Sequence, residues 1–315
     1  MVSIRQRLCN GLAQPVQKPL LMLPLPQPLA RMAFDLNARI LYRTPRDMVL
    51  EPVDIGGVPC AWISRARQRP TTDVLLYLHG GGFVLGSLRS HRHLVAHLAA
   101  KTAQRALFVQ YRLAPEHPFP AACDDALVVY RDLLAAGHDP ARITLAGDSA
   151  GGCLALVLLQ DIARAGLPVP RAVALISPIT DLTGSGASLL RNRWRDPILP
   201  LSWGRRAIAA YLAGQDPSGP RISPLWGDLS GLPPIFVQVC ESEILRDDGQ
   251  RLVAAITAAG GRAELRVWRD VPHVWHLMCG RVPEADAGID ELAAFLTRPP
   301  EIDSASRTRA PGCGT

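Results

Sequence analysis

The chain has 315 residues, of which 48% are hydrophobic and 20% are charged, a composition typical of a well-packed soluble protein rather than a disordered one. Its formal net charge is +6, but only Lys18 and Lys101 are lysines, and the arginines are scattered without a dense basic run. Nucleic-acid binding is therefore not expected. The sequence has no run of about 18 apolar residues, so no membrane span is predicted. Its seven cysteines form no close pairs and no zinc-binding spacing, and we expect them to be buried free thiols. We expect a cytoplasmic protein.

The first 45 residues are apolar, interrupted by prolines and partly helical. Arg5 and Arg7, followed by an apolar stretch, imitate the start of a signal peptide, but prolines between positions 15 and 28 break that stretch. Candidate buried positions in this segment are Met32, Phe34, Leu36, Ile40 and Leu41.

Beyond this segment, strand and helix patterns alternate. Predicted strands lie at about 49–53, 60–64, 74–78, 106–110, 143–146, 172–177, 235–240 and 263–268. Predicted helices lie at about 91–102, 123–136, 152–163, 249–259 and 287–298. This alternation predicts an α/β fold, with a mostly parallel central sheet and helices on both faces.

The alternation stops between about 181 and 223, where tryptophans and leucines stand among prolines and arginines. We expect this insertion and residues 1–45 to form a helical cap over an α/β domain that spans 46–298. The polar segment 299–315 is expected to be a disordered tail. We expect a monomer or a homodimer.

The most informative motif is Gly147-Asp148-Ser149-Ala150-Gly151, which lies between a predicted strand and a predicted helix. A serine on a tight turn of this kind has an exposed hydroxyl, and small neighbours let the backbone turn. The N-terminus of the following helix presents free N–H groups that suit a developing oxyanion. The motif predicts a nucleophilic serine, Ser149.

A second glycine-rich motif, His79-Gly80-Gly81-Gly82-Phe83, follows the strand at 74–78. Three glycines let backbone N–H groups approach a substrate oxygen, and the phosphate-binding glycine patterns are absent. The serine also needs a base, which we expect on a loop after a late strand. His273 follows the strand that ends at Trp268, and the rival His276 is expected to be a surface residue or a supporting neighbour.

Together these motifs resemble those of the hormone-sensitive lipase-like esterases, a branch of the α/β-hydrolase superfamily. The resemblance runs through HGGGF at 79–83, the segment 111–121, GDSAG at 147–151 and DVPH at 270–273, and it covers about residues 45–298. It implies an α/β-hydrolase fold with a helical cap. It also implies Ser149 as nucleophile, His273 as base, and the N–H groups of Gly81, Gly82 and Ala150 as the oxyanion hole.

The chain departs from this family at the third member of the triad. Where the family usually has an aspartate two residues before a leucine, this sequence has Glu243. Glutamate serves the same purpose in other serine hydrolases, so we predict Glu243 as the acid. Asp247 is the alternative, although it is expected to cap a helix that starts near Gly249.

The expected function is hydrolysis of short- to medium-chain carboxylic esters of small molecules through an acyl-enzyme, without cofactor or metal. His93 and His97 are spaced as a metal pair, but no third ligand is indicated. A non-catalytic receptor on the same fold is the rival from another class, and the presence of Ser149 and His273 argues against it. A lactonase, deacetylase, amide hydrolase or acyltransferase would use the same residues and stays open.

Overall fold

The segments predicted as strands form a central sheet in the computed structural model, which describes residues 2–12 and 18–298. Within these residues the strands are β1 (Met48–Ile55), β2 (Val58–Arg65), β3 (Val74–Leu78), β4 (Arg105–Val109), β5 (Ile143–Asp148), β6 (Ala172–Ile176), β7 (Ile235–Cys240) and β8 (Ala263–Trp268). The helices are α1 (Ile4–Leu12), α2 (Lys18–Met22), α3 (Gln27–Leu41), α4 (Leu88–Thr102), α5 (Ala121–Ala135), α6 (Ala150–Arg164), α7 (Ser188–Arg191), α8 (Leu201–Leu212), α9 (Arg246–Ala258) and α10 (Pro283–Leu296).

The sheet has the strand order β1-β2-β4-β3-β5-β6-β7-β8. The pairs β1–β2 and β2–β4 are antiparallel. All other neighbouring strands, from β4 through β3 to β8 in sheet order, pair parallel. The predicted α/β-hydrolase fold with a mostly parallel sheet is confirmed. Because parallel strands end at one edge, the segments after β3, β5, β7 and β8 meet there.

Successive side chains of β3 enter two separate cores, one on each face of the sheet. Leu76 and Leu78 pack with apolar residues of α5, α6 and α9, whereas Leu75 and Tyr77 pack with those of α4 and α10. A strand covered on both faces has no polar alternation, which is why it appears in the sequence as a continuous apolar run.

Two expectations about element ends and burial are wrong. Helix α9 begins at Arg246, three residues before Gly249, so that Asp247 lies inside its first turn and does not cap it. Met32, Leu36 and Ile40 are exposed, by 62%, 55% and 64%, instead of buried. They share one face of α3. The sequence pattern identified this face, but the described residues leave it largely uncovered.

The structure bears on the expected cap only in part and does not describe the expected tail. The N-terminal helices and the insertion helix α8 contribute to a cavity at the carboxyl edge of the sheet, but the domain boundaries at 45 and at 181–223 stay predictions. The expected disordered tail at 299–315 lies outside the described residues. None of the helices in the described part of the chain is long and apolar enough to cross a membrane.

Candidate active site

Ser149 occupies a sharp turn between β5 and α6. Its backbone has a positive φ, with φ +52° and ψ −115°, which is a costly conformation for a residue with a side chain. The flanking glycines are required by space. A Cβ on Gly147 would lie 2.4 Å from the carbonyl oxygen of Gly151, and one on Gly151 would lie 2.0 Å from that of Leu78. The turn thus needs a Gly-x-Ser-x-Gly sequence to push the serine out of the sheet.

His273 lies beside this serine, in the loop after β8. Its Nε2 is 3.1 Å from Ser149 Oγ, and its Nδ1 is 2.6 Å from Glu243 Oε2. Glu243 comes from the turn after β7 and is fully buried, and its second oxygen, Oε1, accepts a hydrogen bond of 2.7 Å from the N–H of Cys240. The structure therefore brings the predicted nucleophile, base and acid into one hydrogen-bonded chain.

The alternative acid Asp247 lies elsewhere. Its Oδ2 accepts a hydrogen bond from the N–H of Ser188 at 2.8 Å, and its Oδ1 pairs with Arg246 at 2.9 Å. These contacts connect α9 to the insertion. This geometry favours Glu243 as the partner of His273.

Two opposing influences act on the His273 imidazole. Burial, the largest of them, lowers the pKa of His273, whereas the hydrogen bond and the negative charge of Glu243 raise it. The net pKa lies above the ordinary value of 6.5. A raised pKa makes the neutral imidazole a stronger base toward the serine hydroxyl.

The predicted oxyanion donors lie in the loop after β3 and at the start of α6, next to Ser149. Gly81 and Gly82 have positive φ angles of +119° and +63° in the loop after β3, and both line a cavity with Ser149. Ala150 is the first residue of α6, where N–H groups have no partner within the helix. Among the described residues, no hydrogen bond uses the N–H groups of these three residues. They are available to a substrate oxygen.

A buried polar cluster connects the two glycine-rich loops. Asp148 Oδ1 accepts hydrogen bonds from the Tyr77 hydroxyl at 2.8 Å and from the N–H of Gly80 at 2.9 Å. Its Oδ2 lies 3.5 Å from His91 Nε2. Burial raises the pKa of Asp148, but the interactions with His91 and Tyr77 lower it by more than burial raises it. The net pKa is below the ordinary value, so the carboxylate is held in its charged form. Asp148 thereby fixes the glycine-rich loop after β3 relative to the serine turn.

The other histidines of the sequence analysis serve in packing. His93 stacks on Tyr42, with ring centroids 4.2 Å apart, and His97 Nε2 lies 3.1 Å from the Arg43 carbonyl oxygen. His276 is fully buried, so the expected surface location is wrong. Its Nε2 contacts Gln238 Oε1 at 2.6 Å. Burial lowers the pKa of His276 to about 3, so it stays neutral. No group of three or more metal-ligating side chains occurs in the described residues.

Two cavities meet at Ser149. One, of about 430 Å³, also contains His273 and is lined by Leu21, Ala30 and Phe34 from α2 and α3. The other, of about 330 Å³, is lined mainly by Ile179, Leu189 and residues of α8. Trp203 lines both cavities, and its ring would be 2.8 Å from a Cβ at Gly82. Two largely apolar cavities that both include Ser149 suit the two halves of an ester.

Sequence reasoning missed three contributors to this site. Asp196 accepts a hydrogen bond of 3.0 Å from the N–H of Ile244, and Asn192 donates one of 2.8 Å to the carbonyl oxygen of Glu243. Both hold the turn that carries Glu243. The position of Trp203 in the lining of both cavities was also not predicted, although its place among the aromatic residues of the insertion was visible in the sequence.

Comparisons with known proteins find similar chains among hydrolases and esterases. A family model described as the alpha/beta hydrolase fold matches residues 75–277. An acetyl-hydrolase of Streptomyces hygroscopicus is 44% identical over 244 residues, covering 78% of this chain and 81% of that protein. An esterase of Acinetobacter venetianus is 35% identical over 268 residues, covering 85% and 88%. A crystal structure of an esterase from the bacterial hormone-sensitive lipase family superposes with a TM-score of 0.89 at 37% identity, covering 94% and 98%.

Proposed function

This chain belongs to the α/β-hydrolase fold family, in its hormone-sensitive lipase-like branch, and is a serine carboxylesterase; we propose that it cleaves short- to medium-chain acyl esters with Ser149, His273 and Glu243. The observation that carries the proposal is the unbroken hydrogen-bonded chain from Ser149 Oγ through His273 to Glu243 Oε2. The relatives named acetyl-hydrolase and esterase support the reaction class.

The first half of the reaction forms the acyl-enzyme. Ser149 Oγ attacks the ester carbonyl carbon while His273 Nε2 takes the hydroxyl proton, and Glu243 stabilises the imidazolium that results. The carbonyl oxygen becomes an oxyanion, which accepts hydrogen bonds from the N–H groups of Gly81, Gly82 and Ala150. As the carbonyl re-forms, the bond to the alcohol oxygen breaks, and His273 gives its proton to that oxygen.

The second half restores the enzyme. Water loses a proton to His273 as it attacks the acyl carbon, the bond to Ser149 Oγ breaks, and the proton returns to that oxygen. The products are the free alcohol and the carboxylic acid. No step of this cycle requires a metal or a cofactor.

Two further features of the chain enter the proposal. The cysteines of the described residues are free, and Cys60, Cys123, Cys153, Cys240 and Cys279 are buried. Free buried thiols suit a reducing compartment, so we place the protein in the cytoplasm. We expect it to act as a monomer or a homodimer.

The test is a rapid-mixing assay with p-nitrophenyl butyrate. The proposed function predicts a burst of p-nitrophenol close to one equivalent per active site, or steady turnover where deacylation is fast, and loss of both in Ser149→Ala. An S149A protein that retains wild-type turnover would overturn the assignment. A wild-type protein that binds esters without turnover would support the receptor alternative.

A further inference from the structure

The outward face of α3 carries an apolar stripe. Leu29, Met32, Leu36 and Ile40 are exposed by 47%, 62%, 55% and 64%. Their spacing of three or four residues places them on one side of the helix, and we call these four residues the α3 stripe. A contiguous exposed patch of this kind is characteristic of an interaction surface rather than of ordinary protein surface.

The stripe lies in the most positive part of the sequence. Residues 1–46 contain seven basic residues and one acidic residue, whereas the rest of the chain contains 27 of each. The whole formal net charge of +6 is thus contributed by this segment. Arg39 and Arg43, on and just after α3, are exposed and form no ion pair with a carboxylate of the described residues. Exposed apolar side chains with unpaired cations beside them are the composition of an interfacial helix.

The neighbouring face of the same helix lines the cavity at the proposed reaction site. Ala30, Phe34 and Asn37 line the cavity that contains Ser149, and Leu23, which is 53% exposed, lines it too. The α3 stripe and the cavity therefore lie on adjacent faces of one helix. An ester that leaves a surface covering the stripe has a short, apolar route to the serine.

We propose that the α3 stripe docks this protein on an anionic lipid surface, from which its ester substrates are taken. The docking stands on the exposed stripe and its charge, while the supply of substrate rests on the proposed function. Docking of this kind is peripheral, with Leu36 and its neighbours in the headgroup region and the arginines against the lipid phosphates. A second copy of the chain fits less well, because two such segments would oppose positive charge with positive charge.

The experiment measures co-sedimentation of the full chain with vesicles. The protein carries Ser149→Ala, so that turnover does not affect binding, and the vesicles are phosphatidylcholine with or without about 30% phosphatidylglycerol. Leu36→Glu places a carboxylate in the stripe. Its matched control is Val169→Glu, a similarly solvent-facing site, 37% exposed, in the loop before β6 at the opposite end of the sheet. Unchanged p-nitrophenyl acetate hydrolysis by each single variant, with Ser149 intact, checks that it folds.

The proposal predicts binding to the phosphatidylglycerol vesicles, weaker binding to neutral ones, and release as salt rises to about 0.5 M. Leu36→Glu should lower the partition coefficient by at least about tenfold and Arg39→Gln by about fivefold, whereas Val169→Glu should leave it unchanged. Absence of binding at low salt, or equal loss in the V169E protein, would overturn the proposal. So would a dimer in gel filtration that Leu36→Glu dissociates. Vesicle binding by a protein without esterase activity would refute the proposed function alone.

Discussion

Replacement of Glu243 by glutamine tests the site most directly. The N–H of Cys240 donates to Glu243 Oε1 at 2.7 Å, and this donor remains in the variant. It holds the amide oxygen at the Oε1 position and leaves the amide NH2 pointing at His273 Nδ1. Nδ1 must then accept a hydrogen bond, so the proton of the neutral ring moves to Nε2, which faces Ser149. In that tautomer His273 is no longer a base for the serine.

The expected loss follows from the tautomer and from the lost charge. A wrong tautomer in a serine triad costs about 10⁴ in kcat, which is about 5.5 kcal/mol of transition-state stabilisation. The pH profile should change as well. The catalytic base must be neutral, so activity falls as the pH drops through the pKa of His273. Glu243 raises this pKa against the effect of burial. Without the carboxylate, the acid limb of kcat/KM should move to lower pH.

The assay is p-nitrophenyl butyrate hydrolysis between about pH 5 and 9. Asp247→Asn is the informative comparison, because Asp247 contacts Ser188 and Arg246 instead of the histidine. We expect its kcat to stay within about threefold of the wild type. Glu241→Gln, an exposed carboxylate in the same turn with Arg269 nearby, controls for loss of charge. An E243Q protein with more than about a tenth of wild-type kcat, or an acid limb that does not move, would refute the reasoning.

Three further predictions concern the cavity, the serine turn and a buried carboxylate. Trp203 lines both cavities, so Trp203→Ala should join them and raise kcat/KM for p-nitrophenyl decanoate relative to the butyrate by about tenfold; an unchanged chain-length profile would contradict the dividing role. Gly151→Ala should lower the free energy of unfolding in urea by about 3 kcal/mol, because its Cβ would meet the Leu78 carbonyl oxygen at 2.0 Å, whereas Gly204→Ala, with open space around it, should cost nothing. Burial raises the pKa of Asp248 to about 7, so the folded chain keeps a proton that the unfolded chain loses above about pH 4. The free energy of unfolding of the wild type should therefore fall by up to about 4 kcal/mol as the pH rises to 7. Asp248→Asn should remove that slope, since an amide oxygen can still accept from the N–H groups of Thr180 and Asp181, and equal slopes in urea titrations of both proteins would count against the raised pKa.

Much of the fold could be predicted because its signals are local. A buried parallel strand must be apolar on both faces, so β3 and β6 were visible as continuous apolar runs. The serine turn was visible for a similar reason, since its φ of +52° and its close backbone contacts admit only small neighbours. Each such constraint is imposed on a few consecutive residues.

Other features depend on contacts between distant segments. The arrangement of Asp148, Tyr77, Gly80 and His91 joins three separate parts of the chain, and no spacing in the sequence indicates it. The exposure of the α3 stripe is similar. The 3.6-residue pattern identifies the apolar face of a helix, but only the neighbours of that helix decide whether the face is covered.

The sequence by itself determined the order of the chemical groups: an oxyanion loop after β3, a serine after β5, and a histidine after β8. It did so because parallel strands deliver their carboxyl ends to one edge, whatever lies between them. It favoured Glu243 over Asp247, which is one helical turn away, but it could not show which side chain reaches His273. Only the tertiary structure shows that contact, because the backbone after β7 presents Glu243 to His273 at 2.6 Å and turns Asp247 toward Ser188. The catalytic roles of these residues stay predictions, and the E243Q and D247N proteins are the means to test them.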